Sequence, residues 1–130
     1  MAHFQIPINL PHAARIAERL ETRAEALLSA RGLLGTEEAE ALHERAEELR
    51  LILGKYEGQG DPPDDEAAQV ADEAAVAGRA LVEEVESTGI GEDRLGQMVR
   101  NLFECLGMGK EGAEISLRAG ENPKSLLRPF

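Results

Sequence analysis

The sequence predicts an all-α fold, a small helical bundle of about four main helices ending in an irregular C-terminal tail. Three observations predict it. Apolar residues recur at alternating spacings of three and four through four long stretches, the period of an amphipathic helix. Glycine and proline gather at the breaks between those stretches. The apolar content leans on 19 Ala and 17 Leu, with no Trp and one Tyr, so a core has to come from close helix approach. The 130 residues suit a single helical domain. Within it we expect an extended arm at 1–9, an antiparallel helical hairpin at 10–53, a Gly/Pro linker at 54–63, two further helices at 64–106 and a tail at 107–130.

Pro7 and Pro11 hold the residues before them extended. A first helix should start at Leu10-Pro11, capped by Asn9 or Leu10, and run to about Arg31, where Gly32 and Gly35 end it. Its seam is Ala13, Ala17, Leu20, Ala24 and Leu27, widened by Ile16 and Leu28. Thr36 is a natural cap for a second helix reaching about Leu53, with Glu37 and Glu38 in the first turn, where the helix dipole favours acid. Ala39, Leu42, Ala46, Leu49 and Leu53 repeat the seam, and the short connection makes the pair an antiparallel hairpin.

A third helix is expected from Pro63 or Asp64 to Ser87, capped by Asp61 or Asp64. Its seam of Ala67, Val70, Ala74, Ala77, Leu81 and Val85 is thin, which suggests modest anchoring. Glycine costs a helix interior roughly 1 kcal/mol relative to alanine, so Gly78 predicts close packing at its position. Thr88 to Gly91 form a turn. The fourth helix, about Glu92 to Leu106, carries Leu95, Met98, Val99, Leu102, Phe103 and Leu106 and should centre the core. Gly107 and Gly109 are expected to end it. Glu114 to Arg118 read as a helical turn or a short strand, and Asn122-Pro123 as the start of a last short helix.

The charge is large and uneven. Lys and Arg total 14 against 25 Asp and Glu, giving −11. Residues 1–35 carry +1, residues 36–93 carry −14 and residues 94–130 carry +2. Nucleic acids and anionic lipids are polyanions, so this balance opposes binding them over the whole surface and favours a basic partner. No apolar run approaches the ~20 residues of a membrane span, and the N-terminus lacks the basic and apolar regions of a secretory signal. One cysteine, Cys105, leaves no internal disulfide. A cytoplasmic protein is the simplest expectation.

Chemical motifs are sparse. Glu40 and His43 share a helix face as Glu-x-x-His, but a di-iron bundle needs a second such pair and two more carboxylates, and no second pair exists, so no metal is expected. Gly107, Gly109 and Gly112 match Gly-x-Gly-x-x-Gly, yet they follow a helix where a nucleotide loop needs a strand. They read as a helix terminator, and no cofactor is expected. Ser29, Ser87, Ser116, Ser125 and Cys105 have no flanking signature of a nucleophile, so we expect no catalytic residues and no enzyme. Cys105 should be an inert, partly buried thiol beside the apolar face of the fourth helix.

Residues 85–101 form the best local pattern, resembling a helix-turn-helix unit. Gln97, Arg100 and Asn101 would be exposed to read bases, but Glu92 and Asp93 would meet phosphates, and Glu84 stands where an apolar residue is expected. The acid is segregated on the linker and third helix, in Asp61, Asp64, Asp65, Glu66, Asp72, Glu73, Glu83, Glu84 and Glu86. Such a run usually serves as a solvated face. Its segregation instead suggests a partner-binding surface that imitates phosphate spacing. The expected function is therefore non-catalytic: an acidic protein that binds and regulates or inhibits a protein partner with a basic surface, one that itself holds nucleic acid being a natural target. In bulk it resembles the small inhibitors of phages and mobile elements, anti-CRISPR proteins among them. Two alternatives are a helix-turn-helix DNA-binding regulator using 85–101 and a self-assembling structural protein, a homo-oligomer built on the alanine seams.

Overall fold

The computed structural model describes residues 8–59 and 62–117. The expectations for the arm before Ile8, for Asp61 and for the tail from 118 onward lie outside the described residues. The described chain is all-helical: α1 Leu10–Ala30, α2 Glu37–Gly54, α3 Asp64–Thr88, α4 Asp93–Cys105 and α5 Gly109–Ala113.

The first two helices start as their caps predict. The Asn9 side chain accepts a hydrogen bond from the His12 backbone N–H, and the Thr36 side chain accepts from that of Ala39, each satisfying a donor that has no partner within the helix. α1 ends by a glycine in the left-handed region: at Gly32, φ is 68°. There the N–H of Leu33 reaches back to the carbonyl of Leu28 and that of Gly32 to Ser29, closing orphan carbonyls. α4 ends the same way at Gly107, with Met108 bonded to Phe103 and Gly107 to Glu104.

Two boundary expectations are corrected. Asp64 does not cap α3; Pro63 holds the cap position without a side-chain hydrogen bond, and Asp64 is already helical. Proline's restricted φ prepares that entry, and Asp64, Asp65 and Glu66 supply the first-turn acid the dipole favours. Gly109 and Gly112 are not terminators but lie inside the short α5. Gly112 is there because of space: a Cβ on it would fall 2.6 Å from that of Phe103.

α1 and α2 pack as the hairpin, α3 packs along α2, and α4 packs along α1. Phe103 of α4 closes the bundle by reaching Gly78 of α3, where an added Cβ would lie 3.1 Å from its ring. The close approach predicted at Gly78 is thus its contact with Phe103. The expectation of a weakly anchored α3 is corrected. Ala71, Ala74, Ala75 and Leu81 are almost wholly buried, and small side chains let α3 lie close against α2 over a long contact. Leu42, Leu49, Leu53, Leu102 and Phe103 are fully enclosed at the centre.

Candidate acidic docking surface

Helix geometry places Asp65, Gln69, Asp72, Val76 and Glu83 on one outward stripe of α3, opposite the seam at Ala67, Ala74 and Val85. From Asp65 to Glu83 the stripe is roughly 27 Å long at ~1.5 Å per residue. Glu73 flanks it. All four carboxylates on or beside the middle and ends of this stripe, at 65, 72, 73 and 83, are exposed. None has an ion pair or hydrogen bond among the described residues, nor does Asp64. Val76, at the centre of the stripe, is 60% exposed. The one cation of α3, Arg79, is drawn aside to Glu111 of α5 at 2.6 Å, so it does not neutralise the stripe.

Three other acidic residues of the run have partners within the fold. Glu66 accepts a hydrogen bond from the buried Tyr56 hydroxyl at 2.9 Å, which ties the turn after α2 to the start of α3. Glu84 lies 4.0 Å from Arg45 across the α2–α3 seam. Glu86 also has a partner. The structure therefore divides the acidic run: the N-terminal acids suit the helix dipole, Glu66 and Glu84 link elements, and Asp72, Glu73 and Glu83 do nothing visible for the fold.

The helix-turn-helix segment looks different once folded. Gln97 and Asn101 hydrogen-bond each other at 2.9 Å. Arg100, expected to be exposed, is half-buried and donates to the Ile115 carbonyl and to Gln97, because the chain after α5 crosses α4 there. Gly96 makes room for that crossing: a Cβ on it would lie 3.2 Å from the Leu117 backbone nitrogen. Glu92 does not stand as a free charge. Arg23 of α1 grips it with two hydrogen bonds, at 2.6 and 2.9 Å. These bonds hold the Glu92 carboxyl below its ordinary pKa despite partial burial, with the charges of Arg23 and Arg94 adding to the effect. Cys105 is partly buried, and that burial, with the neighbouring Glu104, pushes its thiol up and away from thiolate.

His43 faces Glu47 at 3.5 Å. Around it lies a surface that sequence periodicity does not single out. A groove of about 330 Å³ runs between α1 and α2, bordered by Glu25, Glu40 and Glu44. The signal for it was the facing of two helices, which needs the hairpin register and not only the apolar spacing. No helix among the described residues is long and apolar enough to cross a membrane. Compared with protein-family models, curated proteins and solved structures, the chain matches none.

Proposed function

We propose that this is a non-catalytic acidic helical protein that docks on a basic surface of a protein partner and regulates or inhibits it. One observation carries the reading: Asp72 and Glu73 one turn before an exposed Val76, and Glu83 two turns after it, have no ion pair among the described residues. A charged face around an apolar centre has the layout of a recognition surface, with charge steering encounter and the apolar residue adding contact. We place its action in the cytoplasm. A basic groove that otherwise holds nucleic acid is the target its carboxylates suit, as for small inhibitors carried by mobile elements.

The test is affinity capture from source cells with nuclease present, washed at low and then high salt. Wild type should retain a protein that leaves at high salt, since exposed charges act over about one Debye length, ~8–10 Å. A variant carrying Asp65→Lys, Asp72→Lys, Glu73→Lys and Glu83→Lys should keep its helicity and lose that protein. Undiminished capture by the folded variant would remove α3 from the proposal.

A further inference from the structure

We infer that the α1–α2 groove is a second, separate docking site, built to take a cationic amphipathic helix from a protein partner. The floor is apolar and shallow: Ala24 and Leu28 of α1 face Ala39 and Ala46 of α2, each at most 5% exposed. The short alanine side chains are what leave the depression open between two packed helices. Leu34, in the loop joining them, forms a lip and is 55% exposed. A large apolar side chain left in water at the mouth of an apolar depression loses area to water that a partner would recover.

The rim sets the sign of that partner. Glu25, Glu40 and Glu44 line it and have no ion pair or hydrogen bond among the described residues. Glu21 lies deeper, where its Oε1 is 3.0 Å from Arg50 Nε. That approach is off-axis, so Arg50 Nε and Glu21 Oε2 both lack a hydrogen bond. His43 completes the rim. An apolar floor inside a ring of carboxylates complements one chemistry: apolar side chains flanked by Lys or Arg, whose methylene stems lie on the floor while their heads meet the rim. Such residues at helical spacing form a helix that seats in a groove. An extended polyanion is repelled by the rim, and a purely cationic segment leaves Leu34 in water.

The probe is a synthetic peptide of about 18 residues, long enough to hold a helix, with leucines on one face and lysines on the other. The control replaces its leucines by serine. Titrated into the full chain by calorimetry, the leucine peptide should bind at least about tenfold more tightly than the control. Leu34→Asp, and separately Glu40→Lys with Glu44→Lys, should each weaken it by about tenfold or more. Asp72→Lys with Glu73→Lys should leave its affinity unchanged, so this site and the α3 stripe stand or fall separately. Equal binding of the serine peptide would overturn the inference, as would indifference to Leu34→Asp. Loss on reversing α3 instead would overturn it and assign the peptide to the stripe.

Discussion

Glu92 shows how much one side chain depends on the rest of the chain. In the sequence it is an acid at the start of a helix, facing outward. In the structure it is the fork-shaped partner of Arg23, and no local pattern joins residues separated by 69 positions. Because Arg23 lowers its pKa in the folded state, ionised Glu92 favours folding above the ordinary glutamate pKa. That contribution is lost as the pH falls through the lowered folded-state value. Thermal melts across the acid range should therefore show wild type losing stability in that window, and Glu92→Gln should lose less. Parallel curves would mean the pair adds nothing. The same residue holds one of the four cations, Arg15, Arg19, Arg23 and Arg94, that line a single groove between α1 and α4.

At the scale of elements, periodicity was a good guide to where helices lie and a poor one to how they end. The caps at Asn9 and Thr36 were legible because each is a short polar side chain three residues before the donor it satisfies. The cap of α3 was not, although its start was, since acidic residues crowd that turn and the proline among them takes the cap position. α5 was hidden by its glycines, which ordinarily end helices; here Gly112 is chosen for its contact with Phe103. Gly78 is the opposite case, a glycine whose helix penalty pointed to a close contact. A branched side chain there must enter the space of the Phe103 ring. Gly78→Val should cost roughly 1–3 kcal/mol by overpacking, read as a lower urea midpoint with an unchanged slope. A neutral result would show that the ring moves aside freely.

For the whole molecule, the acidic run could be read as a charge excess but not sorted. Only the fold separates Glu66 and Glu84, which link elements, from Asp72, Glu73 and Glu83, which do not. A net charge of −11 repels itself in the compact state. Carboxylates without partners add to that cost and return nothing in packing. Reversing Asp72, Glu73 and Glu83 to Lys should thus leave thermal stability equal to or above that of wild type at low salt, with the difference shrinking as salt is added. A clear loss of stability would give these side chains a structural role. Residues kept at a stability cost are those expected at a binding surface.

The order of contacts along the chain also has a kinetic consequence. α1 with α2, α2 with α3 and α4 with α5 are all neighbours in sequence, so they assemble through short loops. The α1–α4 pairing alone spans most of the chain. It is tied at one end by the Asn9 N–H donating to the Cys105 carbonyl and at the other by Arg23 with Glu92. We expect the three-helix meander to form in the rate-limiting step and α4 to dock afterwards. Glu92→Gln should then accelerate unfolding while leaving the refolding arm of a stopped-flow chevron in place. A slowed refolding arm would put the docking of α4 before the barrier. With α4 docking last, it is also the helix that detaches first, and Phe103 then leaves Gly78 while the α1–α2 groove and the α3 stripe stay intact. Hydrogen exchange would record this opening as weaker protection across α4 than across α2.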